Sequence, residues 1–166
     1  IKVVQNELFE ALGYYLNSVE YFDEGNFMRK LGDVLLVIGN IYITQANYPK
    51  ALEYYQKGLV IADSLNLVKM ISYFYNNMGE LYYNLGQFDN AINSYNRVME
   101  IHRDKNDSIK QADVHSSLST VYMKMDNIEK AREHLDQAFF IYEKSASNQD
   151  LVIAYKTKAS LEMKND

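Results

Sequence analysis

The chain has 166 residues, of which 48% are hydrophobic and 23% are charged, and this balance excludes an intrinsically disordered chain. The formal net charge of −5, without a cluster of Lys and Arg, argues against nucleic acid as a partner, because phosphate binding needs such a cluster. The absence of cysteine excludes disulfides, thiolate metal sites and cysteine nucleophiles.

The sequence repeats itself with a period of forty residues. An alanine marks each repeat, at Ala11, Ala51, Ala91 and Ala131. A large side chain follows each alanine four residues later, at Tyr15, Tyr55, Tyr95 and Leu135. Two further columns in the same phase hold small residues and tyrosines, at Gly39, Gly79 and Ser119 and at Tyr42, Tyr82 and Tyr122. Apolar positions within a repeat are three or four residues apart, so the pattern predicts two helices in each repeat.

Cap and turn residues indicate where these helices begin and end. Asparagine tolerates the left-handed conformation that follows many helices, and we therefore predict that second helices end at Asn26, Asn66 and Asn106. Pro49 lies where a second helix begins, a position at which its missing N–H costs nothing. Ser108 and Gln111 match a capping box for the next helix. Each helix is predicted to run for about 17 residues, or about 25 Å.

The repeats predict an all-α fold, an α-solenoid of antiparallel helix hairpins stacked into a right-handed superhelix. The predicted divisions are a partial repeat at 1–26 (mainly its second helix), repeats at 27–66, 67–106 and 107–146, and the first helix of an incomplete repeat at 147–166. Because the chain begins and ends inside a repeat, we expect a fragment of a longer protein. The apolar stretch at 34–43 is too short to span a bilayer, so no membrane span is expected.

The columns resemble the signature of the tetratricopeptide repeat family. That signature has a bulky residue, Leu-Gly and Tyr in the first helix, then Ala, an aromatic and a small residue in the second. The first full repeat matches it with Leu35, Ile38, Gly39, Tyr42, Ala51, Tyr55 and Gly58. The period exceeds the usual length of about 34 residues. This long form is similar to the repeats of kinesin light chains and of bacterial peptide-pheromone receptors of the Rap and PlcR type.

The resemblance implies a binding groove lined mainly by the first helices. Asparagines there offer both a donor and an acceptor to a peptide backbone, and Tyr73 and Tyr83 offer anchors for an apolar side chain. The carboxylate clamp of chaperone-binding members is not expected, because Leu36 replaces its lysine. The family's groove positions fall on Asp33, Leu36, Asn40, Thr44, Tyr73, Asn76, Glu80, Tyr83, Asn84, Asp113, Ser116, Thr120, Lys124 and Lys156.

Sequence signals for catalysis and metal binding are weak. The His-Arg-Asp triplet at 102–104 imitates a kinase catalytic loop, but no glycine-rich phosphate loop accompanies it. His115 occupies a core column and is interpreted as a packed histidine. His134 lies on a charged helix flank beside Glu133 and is interpreted as solvated. We therefore predict no catalytic residue, no cofactor and no metal site.

The sequence favours a non-catalytic protein- or peptide-binding module, interpreted as the regulatory or sensing region of a larger bacterial signalling protein. One alternative is a peptide-pheromone receptor of the Rap and PlcR type that switches an attached output domain. Another is a self-association module, a homo-oligomer in which incomplete terminal repeats pair between chains. A cytoplasmic location is expected, with a periplasmic sensor region as the alternative.

Overall fold

The structure, a computed structural model, describes residue 10, residues 24–145, and residues 155 and 158. Between residues 24 and 145 it contains six helices and no strand, in agreement with the predicted all-α fold class. The helices are α1 (Glu24–Thr44), α2 (Tyr48–Ser64), α3 (Val68–Asn84), α4 (Phe88–Asp104), α5 (Ser108–Lys124) and α6 (Ile128–Ser145). Four of them, α2 to α5, have the expected 17 residues. No helix among the described residues is long and apolar enough to cross a membrane.

The chain divides into two compact units, Ile1–Asn77 and Met78–Asp166, which are described separately. In the first unit α1 packs on α2, and in the second α5 packs on both α4 and α6. Since the division falls within α3, that helix contributes residues to both units. The predicted partial repeats at 1–26 and 147–166 lie almost wholly outside the described residues, and the repeat boundaries stay predictions.

A residue with a left-handed backbone separates each helix from the next. These residues have φ between 51° and 71° and are Ala46, Asn66, Gly86, Asn106 and Asp126. After Asn66 the chain reverses in a Schellman-type arrangement, in which the N–H of Leu67 donates to the carbonyl of Ala62 at 2.8 Å. The predicted helix ends at Asn66 and Asn106 are therefore confirmed.

The predicted helix end at Asn26 is wrong. Residues 24–26 belong to α1, which begins at Glu24. Asparagine permits the left-handed conformation but does not impose it.

The predicted capping box at Ser108 and Gln111 is also wrong. The N-cap of α5 is Asp107, whose side chain accepts a hydrogen bond from the N–H of Lys110 at 3.2 Å. The Gln111 side chain instead donates to the carbonyl of His102, at the end of the preceding helix, at 3.2 Å. Gln111 therefore links two helices rather than capping its own.

Small residues allow neighbouring helices to approach until a ring lies on the backbone. Alanines 51, 91 and 131 are fully buried. A Cβ atom placed on Gly58 would overlap the ring of Phe74, and one on Gly79 would lie 2.8–3.0 Å from ring carbons of Tyr95. The Phe74 ring is itself fully buried. Glycine at positions 58 and 79 is therefore required by the rings that pack against them.

We predict that Gly58→Ala lowers the free energy of unfolding by about 1–2 kcal/mol. Overpacking a core costs about 1–3 kcal/mol, and the direct overlap with the fully buried Phe74 ring favours the upper part of this range. The better helix propensity of alanine offsets roughly 1 kcal/mol. The measurement is urea denaturation followed by circular dichroism. Gln56→Ala, on the exposed side of the same helix, is the control and is expected to change stability by less than about 0.5 kcal/mol. A Gly58→Ala protein as stable as the wild type would contradict this account of the packing.

The interpretation of His134 as solvated is wrong. Its half-buried ring stacks on Tyr122, with centroids 5.4 Å apart and planes inclined by 11°. Its Nδ1 atom lies 2.9 Å from Nδ1 of His115, which is half-buried on α5. The charged neighbours of His134 in the sequence point elsewhere, because position 134 falls three and four residues from the core alanines 131 and 138 and therefore shares their face.

Both histidines are held in the neutral form. Burial, the neighbouring His134 and the charge of Arg103 lower the pKa of His115 to about 4, although Glu133 opposes the shift. Burial also lowers the pKa of His134, an effect that Glu133 opposes and Lys130 reinforces. The unfolded chain therefore binds more protons at these two sites than the folded chain does once the pH falls below about 6.5.

We predict that the free energy of unfolding decreases as the pH falls from about 6.5 towards 4, because protons bind preferentially to the unfolded chain. The decisive window lies between about pH 6.5 and 5, above the range in which most carboxylates titrate. Urea denaturation at several pH values, with EDTA present to remove metal ions, measures the slope of the free energy of unfolding against pH. His115→Leu, which copies Leu35 of the first repeat, should reduce that slope. An unchanged slope in that variant would show that the histidines are not its source.

Candidate functional site

One surface of the first unit brings together predicted groove residues from two helices. This α1/α3 face consists of Asp33, Val37, Asn40 and Thr44 on α1 and Tyr73, Asn76 and Asn77 on α3. Its α1 members are all exposed and are three or four residues apart, so they form one stripe along the helix. On α3 the side chains of Tyr73 and Asn76 are exposed, whereas Asn77 is half-buried.

A hydrogen-bonded cluster joins the two helices at the middle of this face. The Oδ1 atom of Asn40 accepts a hydrogen bond from the Tyr55 hydroxyl at 2.5 Å and another from Nδ2 of Asn77 at 3.2 Å. The Tyr55 ring is 1% exposed and packs edge-on against Phe74, with centroids 6.2 Å apart, so the position of its hydroxyl is fixed. Because Oδ1 of Asn40 faces two donors, its Nδ2 group is directed away from them.

One apolar side chain lies a helical turn from this cluster on each of the two helices. Tyr73 on α3 is 58% exposed and Val37 on α1 is 48% exposed. Single exposed apolar side chains are common on protein surfaces, but an aromatic residue beside amide groups can contribute strongly to a binding interface. The α1/α3 face therefore offers amide groups together with apolar side chains one helical turn away.

The face includes two residues that the sequence interpretation did not select. Leu36, which it did select, is half-buried, whereas Val37 is exposed. Asn77 was passed over for Asn76, although Asn77 makes the contact with Asn40. Val37, Asn77 and Ser117 form a forty-residue column of their own, which could have indicated these two residues. This column lies one position beyond the family's groove positions Leu36, Asn76 and Ser116.

In the second unit the predicted groove residues include both exposed and half-buried side chains. Glu80, Asn84 and Lys124 are exposed. Tyr83 is half-buried against Phe88, with centroids 6.2 Å apart, and burial raises the pKa of its hydroxyl. Tyr83 is therefore only partly available to a ligand, whereas the three charged or amide side chains are accessible.

Two α5 members of the predicted set, Asp113 and Thr120, are half-buried and hydrogen-bonded within the protein. The Asp113 carboxylate accepts hydrogen bonds from the Tyr142 hydroxyl and from Nζ of Lys110, each at 2.8 Å. The Thr120 hydroxyl donates to the carbonyl of Ser116 at 3.1 Å. Lys156 lies outside the described residues.

Tyr95 repeats in the second unit the arrangement of Tyr55 in the first. Its buried hydroxyl is hydrogen-bonded to the Ser117 side chain and lies near Glu80. Burial and the Glu80 charge raise the pKa of Tyr95 to about 12, so the hydroxyl keeps its proton as a donor. In both units a buried tyrosine thus reaches the polar side chains of neighbouring first helices.

Two models of the tetratricopeptide repeat match the chain, at residues 34–67 and 71–144. The human intraflagellar transport protein 88 homolog is 31% identical over 97 residues, which are 58% of this chain and 12% of that protein. The chain therefore corresponds to a small part of this relative.

Solved structures resemble the fold over most of the chain. Aspartyl phosphate phosphatase F from Bacillus subtilis superposes with a TM-score of 0.81 at 14% identity, covering 95% of this chain and 42% of that one. The first TPR of Spaghetti (RPAP3), bound to the HSP90 peptide SRMEEVD, superposes with a TM-score of 0.58 at 20% identity, covering 80% of this chain and 94% of that one. At identities this low, the superpositions show only that the fold is shared.

We predict that Tyr55→Phe lowers the free energy of unfolding by about 0.5–1.5 kcal/mol, because the buried tyrosine loses its hydrogen bond to Asn40. Urea denaturation measures the effect. Tyr73→Phe, at an exposed tyrosine on α3, provides the control and should leave stability nearly unchanged. Equal stability of the two variants would mean that the cluster does not fix the face.

Proposed function

Because the chain belongs to the tetratricopeptide repeat family, we propose that it is a non-catalytic interaction module that binds an extended peptide segment of a partner protein on its α1/α3 face. The observation that carries the proposal is the contact between Asn40 and Asn77, which places amide groups from two helices side by side on an accessible surface. A peptide backbone offers an acceptor and a donor at each residue, and amide side chains can satisfy both.

The apolar residues of the face supply the second half of the proposed interaction. Tyr73 and Val37 are exposed next to the amides, where they can cover a hydrophobic side chain of the peptide. A large, rigid ring loses little conformational entropy on binding, and such residues commonly contribute most of the affinity. We therefore expect the amides to set the position of the backbone and Tyr73 to supply most of the binding energy.

The charge of the face narrows the class of peptide. Asp33 is its charged member, and neither lysine nor arginine belongs to the set that defines it. A peptide that ends in a run of carboxylates, such as the one bound to RPAP3, would find no cationic partner there. We propose a neutral or basic segment with at least one large apolar residue.

Selection from a random peptide library displayed on phage, followed by fluorescence polarisation with a selected peptide, tests the proposal on the full chain. Tyr73→Ala should weaken binding about thirtyfold or more, corresponding to a loss of about 2 kcal/mol, and Asn77→Ala should also weaken it. Gln56→Ala, exposed on α2, is the matched control and should bind as the wild type does.

The peptide SRMEEVD serves as the second control and is expected not to bind. Selected peptides that bind Tyr73→Ala and Asn77→Ala as tightly as the wild type would refute the proposed face. Tight binding of SRMEEVD would refute the proposed peptide class, since it would require a cationic clamp.

Narrower roles for the module are also proposals. A regulatory region of a larger bacterial signalling protein would change the output of that protein when its peptide is bound. A receptor of the pheromone type would become more compact on binding, which small-angle scattering measures, whereas a scaffold would keep its dimensions. Self-association would appear as a concentration-dependent mass in sedimentation.

A further inference from the structure

We propose that His115 and His134 form a two-histidine site for a divalent transition-metal ion of the copper or nickel class, held between α5 and α6. The two Nδ1 atoms lie 2.9 Å apart and face each other across the hairpin. Imidazole nitrogen is a preferred ligand of these metals, and residues on packed helices hold ligands more rigidly than loops do. Both rings are half-buried, so neither lies wholly within the core.

The separation of the two nitrogens is compatible with neighbouring ligands in a tetragonal metal site. With metal–nitrogen bonds of about 2.05 Å, atoms 2.9 Å apart subtend an angle of about 90° at the ion. This is the angle between neighbouring ligands in the tetragonal sites that copper(II) and nickel(II) prefer. A tetrahedral zinc site would need the nitrogens roughly 3.3 Å apart.

The surroundings of the pair orient one ring and leave coordination positions open. The Tyr122 ring stacks on His134 and restricts its rotation. The described residues contain no group of three or more His, Cys, Asp or Glu that could hold a metal, so solvent or a bound partner would complete the coordination shell. The charges of Arg103 and Lys130 oppose a cation, and the nearby carboxylate of Glu133 favours it.

Helix packing alone does not require histidine at either position. The equivalents of His115 are Leu35 and Tyr75, and the equivalents of His134 are Tyr54 and Ser94. In the first repeat Tyr54 stacks on Tyr42, with centroids 5.4 Å apart, as His134 stacks on Tyr122. A pair of facing imidazoles therefore distinguishes the third repeat, in which the chain replaces two packing residues by two ligands.

A hydrogen bond between two neutral imidazoles accounts for the same distance without a metal, so the test must separate the two explanations. The untagged chain is first treated with EDTA, and nickel chloride is then added near neutral pH. The readouts are the thermal unfolding midpoint by circular dichroism and the heat of binding by calorimetry. Nickel should raise the midpoint of the wild type, because a ligand that binds the folded chain stabilises it.

The variants are taken from the chain's own repeats, so that they should fold. His134→Tyr restores the tyrosine pair of the first repeat, and His115→Leu restores its leucine. Each should abolish the nickel-dependent rise, whereas His102→Gln, at the chain's third histidine, should keep it. The midpoint in EDTA confirms that each variant is folded.

The absence of a nickel effect on the wild type would overturn the proposal and leave the hydrogen bond as the explanation. A rise of equal size in both His134→Tyr and His115→Leu would also overturn it, because nickel would then be bound by other surface groups. A rise lost in both variants and retained in His102→Gln supports it, and calorimetry must then show one ion for each chain.

Discussion

Neighbouring helices of this chain pack together where a glycine on one helix contacts the aromatic ring of the other. A ring can lie on a helix backbone only if no Cβ atom stands between them, so each such contact needs glycine on one side and an aromatic residue on the other. The pairs are Gly39 with Tyr55, Gly58 with Phe74 and Gly79 with Tyr95. Each hairpin that packs in this way needs a glycine and an aromatic ring at the same two positions. This requirement produces the recurrence of Gly39 at Gly79 and of Tyr55 at Tyr95, forty residues later.

This condition explains which parts of the fold could be predicted. Ala51 and Tyr55 are buried on the face that recurs with the helical period, so periodicity was enough to identify them. Helix ends were predictable at Asn66, where a left-handed backbone coincides with a residue that tolerates it. At Asn26 the same residue type lies within a helix, because tolerance of a conformation does not require it.

The surface was harder to predict because solvent-facing positions are not subject to the packing condition. Asn76 and Asn77 point in directions about 100° apart around the helix axis, because successive residues of an α-helix differ by that angle. The family's groove positions do not determine which of the two faces α1. His134 illustrates the opposite error. Its charged neighbours suggested solvent, yet its own position faces α5, since the direction of a helical residue is set by its phase relative to the core and not by adjacent residues.

The buried tyrosines connect packing to the accessible face. Tyr55 fills the space opposite Gly39, and its hydroxyl then emerges beside Asn40, where it accounts for one of the two hydrogen bonds that orient the amide. A ligand that binds this amide meets a group whose orientation is already determined, so little ordering remains to oppose binding. Leucine occupies the equivalent position in the third repeat, at Leu135, and provides no hydroxyl. The same packing column therefore supports a polar face in the first repeat and lacks the hydroxyl in the third, the repeat that carries the histidine pair.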